Sequence, residues 1–275
     1  MPERRETPRL SSTQPPKATM HPSLPDEITG SRQISRRGWK WWILRRLMWL
    51  LFLVFRGRRH GRLVLDSVRG VPLVVFPEVF HPGLFLSTPL LLDALDQFQL
   101  KTGSHVLDLG TGTGVCAIFA AMKGAQVTAT DISPIAVRCA RVNVTINSLD
   151  DQVRVLEGDL FQPVQEKRFD LVIFNPPYYE GKPRTWYEYA WRGEKVLHRF
   201  AGGLGAHLAE GGRTLLSVST ELDLAAVREE LRTNGFEVRE RCRRRLPGET
   251  MFVYECIPSS ASGPVRSEDP GTTKQ

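Results

Sequence analysis

No two of the four cysteines, Cys116, Cys139, Cys242 and Cys256, are spaced as C-x-x-C. A thiolate zinc centre and a vicinal dithiol are thereby excluded, and reduced thiols in an intracellular protein are the simple reading. The six histidines are scattered without metal-ligand spacing, so a histidine metal centre has no support either. An uninterrupted apolar run of the ~20 residues that span a bilayer is missing. The nearest approach, WKWWILRRLMWLLFLVF from Trp39 to Phe55, is broken by Arg45 and Arg46. Excess positive charge is missing from most of the chain as well. Although the net charge is +7, residues 1–62 hold 14 Lys+Arg against 4 Asp+Glu, leaving 23 against 26 elsewhere. The main body therefore lacks the broad positive field of a nucleic-acid binder. Its one basic run, Arg239, Arg241, Arg243, Arg244 and Arg245, reads as a solvated edge strand.

Composition divides the chain into five stretches. Residues 1–30 are rich in Pro, Ser, Thr and charge without an apolar period, the mark of a disordered arm. Residues 31–62 form a basic, Trp-rich amphipathic segment with ten Lys or Arg, no acid, and four of the six tryptophans. Two readings stand for it: a helix lying in the headgroup region of an anionic leaflet, or a helix docked on the body or on another subunit. The expectation is a cytoplasmic protein with peripheral membrane contact through 31–62. Residues 63–100 read as a hairpin around Arg69-Gly70 and a helix capped by Ser87 or Thr88, running through Phe98 with Pro89 in its first turn. Residues 101–257 make the core domain. Residues 258–275 form a tail expected to be disordered.

Within the core, strands and helices alternate in the pattern of a parallel sheet. His105–Leu109 is a short apolar strand, and Gly110-Thr111-Gly112-Thr113-Gly114 is a glycine-rich turn into an apolar helix through Lys123. Without Cβ atoms the turn lets a ligand approach the backbone closely. A second strand from Gln126 ends at Asp131, 23 positions after Asp108, the distance at which a carboxylate meets ribose hydroxyls in nucleotide-binding sheets. A nicotinamide cofactor is the rival ligand, but the G-x-G-x-G pattern lacks the later glycine of G-x-G-x-x-G. Pro134 opens a helix to Asn147, Val153–Glu157 is a third strand, and Gly158-Asp159-Leu160-Phe161 follows. The spacing further predicts a helix over Leu197–Glu210, a strand over Thr214–Val218, a helix over Leu222–Asn234 and a closing hairpin from Phe236 to Cys256.

The most informative stretch is Asp170 to Tyr179, DLVIFNPPYY, in which a buried strand runs into an Asn-Pro-Pro-Tyr corner. Both prolines fix their own φ, and Pro176 pushes Asn175 out of the helical region, so the corner is stiff. The chemistry that suits it is methylation of a planar NH2 group. The nitrogen lone pair of such a group is delocalised, and two acceptors, the Asn175 side-chain oxygen and the Pro176 carbonyl, can each take one N–H and aim the lone pair at a methyl donor. The Tyr178 ring offers a surface for a planar substrate group. After the corner, Tyr179, Lys182, Arg184, Trp186, Tyr187, Tyr189 and Trp191 mix cations and aromatics. Such a loop suits substrate binding, base stacking, or plain packing over a cofactor.

DLGTGTG at Asp108–Gly114, TDIS at Thr130–Ser133, GDLF at Gly158–Phe161 and NPPY at Asn175–Tyr178 occur in the order seen in class I S-adenosylmethionine-dependent methyltransferases. The chain most resembles the protein-glutamine N5-methyltransferases that modify release factors, within the small-domain N-methyltransferase group. The resemblance implies an α/β, Rossmann-like seven-stranded sheet with helices on both faces and an antiparallel last strand. It implies S-adenosyl-L-methionine as cofactor, held by Asp108, Gly110, Thr111, Gly112 and Gly114 at its methionine end. Asp131 would hold its ribose and Asp159 its adenine region, Ile132, Leu160 and Asn175 would also contact it, and Asn175, Pro176 and Tyr178 would meet the target nitrogen. It also implies a protein substrate such as a release factor and, since the compact form of the family works with one, a small activator subunit. Methylation of an exocyclic base amine in RNA or DNA is the alternative. A membrane-attached S-adenosylmethionine-binding regulator without turnover is the third reading.

Overall fold

A computed structural model describes residues 62–259. The arm at 1–30, nearly all of the Trp-rich segment at 31–62 and the tail from 260 lie outside the described residues. Among the described residues no helix is long and apolar enough to cross a membrane.

The chain enters through a hairpin, β1 (Val64–Val68) and β2 (Val71–Val75), turned by Arg69 and Gly70 at φ of +53° and +79°. Two positive φ values in succession give the two-residue turn whose twist matches the strands it joins. Helix α1 (Ser87–Asp96) follows. The expected cap at Ser87 or Thr88 is not made, because the position before the helix is Leu86 with no side-chain bond. Ser87 and Thr88 are instead buried inside the first turn. The helix also stops at Asp96, short of Phe98. Leu90, Leu91, Leu92 and Leu95 join the same apolar cluster as Val106 and Ile118, so the 63–100 stretch shares its core with the sheet.

Strands β3 (His105–Leu109), β4 (Gln126–Asp131), β5 (Val153–Glu157) and β6 (Phe169–Phe174) alternate with α2 (Val115–Met122) and α3 (Pro134–Ile146) as expected. A two-residue parallel pair, β7 (Tyr179–Glu180) and β8 (Arg192–Gly193), then pins the ends of the loop after the Asn-Pro-Pro-Tyr corner. Helix α4 (Val196–His207), strand β9 (Leu208–Ser219), helix α5 (Leu224–Thr233) and the hairpin β10 (Phe236–Leu246) with β11 (Glu249–Pro258) complete the chain. The helix expected to reach Glu210 ends three residues sooner, since β9 already pairs with β6 from Leu208. A register irregularity opposite Gly211-Gly212 explains the difference. A Cβ at Gly212 would lie 2.7 Å from the Phe169 carbonyl, so those glycines serve a bulge in a strand rather than a helix end.

The seven-stranded sheet has the order β10-β11-β9-β6-β3-β4-β5, with β11 antiparallel to its neighbours. Strand residues alternate between two apolar layers. On β6, Leu171 and Ile173 face the layer of α1, α2 and α3, whereas Val172 and Phe174 face that of α4 and α5. The chain leaves β3 toward β4 on one side and returns at β6 on the other, which opens a crevice at the carboxyl ends of β3 and β6. The Arg run lies on β10 at the sheet edge as expected, and Arg239, Arg241, Arg243 and Arg244 pair with Glu237, Glu255, Glu240 and Asp93.

One buried polar residue ties the entry hairpin to the crevice. Asn143 on α3 accepts from Val74 N at 2.7 Å and donates to the carbonyls of Val74 and Thr113 at 2.9 and 2.8 Å. Replacing it with leucine strands Val74 N and the Thr113 carbonyl, while the Val74 carbonyl keeps the Cys139 thiol, and the expected loss is about 2–3 kcal/mol. Chemical denaturation of Asn143→Leu against the parent measures this; an unchanged midpoint would refute the assignment.

Candidate active site

A cavity of about 490 Å³ occupies the crevice. Its floor is the glycine-rich turn. Gly110 and Gly112 hold φ of +61° and +56°, where a side chain would be strained, and a Cβ added at Gly112 would meet nothing within 4 Å. The turn is anchored by Thr111 N donating to the Thr130 carbonyl at 2.9 Å and by Gly112 N donating to Asp131 Oδ2 at 2.9 Å. Gly114 belongs to a different contact. It caps α2 at φ +84°, and a Cβ there would press on Ala140 at 3.2 Å, so it serves helix packing and does not line the cavity.

Two buried acids stand behind this floor. Asp108 Oδ2 accepts from the Thr111 hydroxyl at 2.5 Å and from Ala117 N at 3.1 Å. Burial nevertheless pushes its carboxyl up to about 7, against those hydrogen bonds and with a push from the Asp131 charge. Asp131 takes one backbone N–H on each oxygen, from Gly112 and from Ser133. Burial raises it too, opposed by those N–H groups and that of Ile132. Its carboxylate thus shapes the turn as well as facing the cavity, a double use the spacing from Asp108 did not reveal. Ile132 and Leu160 also line the cavity, and Leu160 has φ of +46°. Asp159 lines it while paired with Arg199 of α4, a partner sequence reasoning missed because only the fold brings α4 over that loop.

At the far wall is Asn175, one residue past β6. Its Nδ2 donates to Ser87 Oγ at 3.3 Å, and its Oδ1 accepts from the Tyr178 hydroxyl at 3.2 Å. Of the other corner residues, Pro177 lines the cavity, and Pro176 and Tyr178 do not. Pro176 is buried and off the cavity lining. The Tyr178 ring is partly buried and packs against the apolar layer that includes α1 and α2, and its hydroxyl reaches Asn175 and Ser217. Burial holds the Tyr178 phenol far above its ordinary range, and it stays a neutral O–H.

The mixed loop divides. Lys182, Trp186 and Tyr189 line the cavity, with the rings of Trp186 and Tyr189 stacked at 5.4 Å. Trp191 packs instead on Phe80 and Phe85, at 5.1 and 4.5 Å, and clasps the loop to the segment before α1. Val79, Phe80 and Arg192 also line the cavity. The nearest sequence signal for the first two was their position in the loop that Pro82 and Gly83 punctuate.

Residues 74–241 match the family model described as "Methyltransferase small domain". The chain is 32% identical over 199 residues to a Methanocaldococcus jannaschii protein named "Putative protein N5-glutamine methyltransferase", covering 69% of this chain and 97% of that one. Among solved structures it superposes on a T. thermophilus 16S rRNA N2 methyltransferase in complex with AdoMet and guanosine. The TM-score is 0.57 at 23% identity, covering 72% of this chain and 50% of the other. It also superposes on an E. cuniculi Mtq2–Trm112 complex that methylates the termination factor eRF1. There the TM-score is 0.51 at 24% identity, covering 66% and 99%.

Proposed function

The chain belongs to the methyltransferase small-domain family and is an S-adenosylmethionine-dependent methyltransferase; from that premise we propose that it methylates the side-chain amide of a protein glutamine. The observation that carries the proposal is the placement of the Asn175 carboxamide on the same cavity as the glycine-rich turn. The Methanocaldococcus relative supports it by name, and release factors are candidate substrates by likeness to the Mtq2 fold. An activator subunit of the Trm112 kind belongs to the same proposal. Charge supports a protein acceptor: between residues 62 and 259, Asp and Glu outnumber Lys and Arg by 24 to 22, which does not favour a polyanion.

The residues present fit the cofactor. The open face of Gly112 leaves room against the backbone, and two buried carboxylates suit a cationic ligand. In this reading Asp108, Gly110, Thr111 and Gly112 hold its methionine end, Asp131 and Ile132 its ribose, and Asp159 and Leu160 its adenine region. When bound, S-adenosylmethionine supplies a methyl group on a sulfonium centre. Asn175 Oδ1 has one lone pair on Tyr178 and a second for an N–H of the acceptor. That contact orients the amide nitrogen, and Pro176 and Tyr178 contribute by keeping the corner stiff and the carboxamide fixed. Orientation of this kind supplies most of what a reaction with a good leaving group needs.

Affinity for the cofactor is expected to fall as pH drops. Below about 7 Asp108 holds a proton and no longer meets a cation as a carboxylate. Between pH 8 and pH 6 dissociation constants should rise roughly fivefold to tenfold, with uptake of a proton on release. Stability of the ligand-free protein changes with pH in the opposite direction. The folded state keeps the Asp108 proton between about 4 and 7 while the unfolded chain loses it, so stability declines as pH rises through that window. Calorimetric titration at several pH values checks the binding effect, and Asp108→Asn should flatten the profile. A profile unchanged by that substitution contradicts the assignment.

Substrate class is tested by incubating the purified protein with cell extract and methyl-tritiated S-adenosylmethionine, then digesting with nuclease or protease. Label that survives nuclease and yields to protease is the expected result. A second reading, methylation of an exocyclic base amine, draws on the stacked Trp186 and Tyr189 at the cavity. Nuclease-sensitive label would establish that reading and overturn the first.

A further inference from the structure

The carboxamide of Asn175 is the middle of a chain of hydrogen bonds that crosses the fold. Ser217 Oγ on β9 lies 2.9 Å from the Tyr178 hydroxyl, Tyr178 donates to Asn175 Oδ1 at 3.2 Å, and Asn175 Nδ2 donates to Ser87 Oγ on α1 at 3.3 Å. Since Tyr178 spends its only O–H on Asn175, its lone pair is left for the Ser217 hydroxyl to donate to. Ser217 is fully buried and Ser87 nearly so, and water does not compete for either. The β9 anchor is rigid because that strand is paired on both sides, with β6 and with β11, where Ser217 faces Val253.

A carboxamide on a short side chain turns about two bonds, and stiff backbone alone does not fix its plane. We infer that Ser217 is a positioning residue for methyl transfer: acting through Tyr178, it holds the Asn175 carboxamide in the plane that the acceptor nitrogen requires. The inference rests on the reading that Asn175 meets the acceptor. Ser217 is not on the cavity lining. Its influence should therefore appear in turnover and leave binding of either ligand alone, which distinguishes it from a residue that merely supports the site.

The test measures tritium transfer from S-adenosylmethionine into nuclease-treated extract protein, at limiting and saturating extract. Ser217→Ala should lower kcat about tenfold, with KM and cofactor affinity within twofold of the parent. Ser217→Thr, which keeps the hydroxyl, should restore most of the rate. Tyr178→Phe should cost as much as Ser217→Ala or more, and adding Ser217→Ala to Tyr178→Phe should cost nothing further, because the link is already cut. Unchanged kcat in Ser217→Ala overturns the inference, as do losses that multiply in the double variant or a parallel fall in cofactor affinity. Asn175→Ala in the same assay separates the two levels. If it turns over normally, the reading of Asn175 fails; if it is inactive while Ser217→Ala is normal, only the positioning role fails.

Discussion

Replacing Asn175 with alanine is expected to reduce methyl transfer by about 10²–10³-fold, the range for removing one preorganised polar contact to a reacting group, and to leave cofactor affinity nearly unchanged. The asymmetry follows from the site. Asn175 makes its protein contacts to Ser87 and Tyr178, whereas the glycine-rich turn is held by Thr130 and Asp131 and does not depend on it. Its loss removes the acceptor for the incoming N–H and lets the amide present its nitrogen in many orientations. Equilibrium dialysis of the cofactor beside a turnover assay reads both effects. Equal loss in the two would mean that Asn175 supports the pocket and not the chemistry.

Asp131→Ala should act in the opposite sense, with cofactor affinity falling about a hundredfold. Two charge-assisted hydrogen bonds to backbone N–H groups disappear together with the carboxylate that faces the ligand, and each such bond is worth about 1.5–3 kcal/mol. A hundredfold corresponds to about 2.7 kcal/mol, so the expectation allows part of the loss to be recovered by water. Asp159→Ala should cost far less, because that acid is half-exposed and already engaged by Arg199. Calorimetric titration of both variants checks the ranking. Comparable losses at the two positions would contradict the roles given to them.

Much of this fold was legible because buried parallel strands leave compact apolar runs and the turns between them carry glycine and proline. The strands at 105–109, 126–131, 153–157 and 169–174 lie where those runs predict, and all four motifs converge on one crevice. Local patterns failed where a residue answers to a distant partner. Ser87 looked like a helix cap, yet its hydroxyl accepts from Asn175, 88 positions away. Tyr178 read as a platform for the substrate, and the fold adds a contact of its ring with the core and of its hydroxyl with Ser217, 39 positions away. Gly114 shares the spacing of Gly110 and Gly112, but the close approach it permits is to Ala140 on α3. The helix expected to reach Glu210 gives way to β9, where Gly212 sits at a bulge against Phe169 that only the sheet pairing reveals. Asn143 gave a signal that was available: a polar side chain among Cys139, Ala140 and Val144 on the buried face of a helix must have a partner.

The central claim, that an oriented carboxamide directs a methyl group onto a planar nitrogen, is tested most directly by locating the methyl group in the product. Labelled protein from the wild-type reaction should release its tritium as methylamine on strong acid hydrolysis, because a methylated amide yields the amine and a carboxylate. Label released as methanol by mild base, or retained on a carbon through hydrolysis, would contradict it.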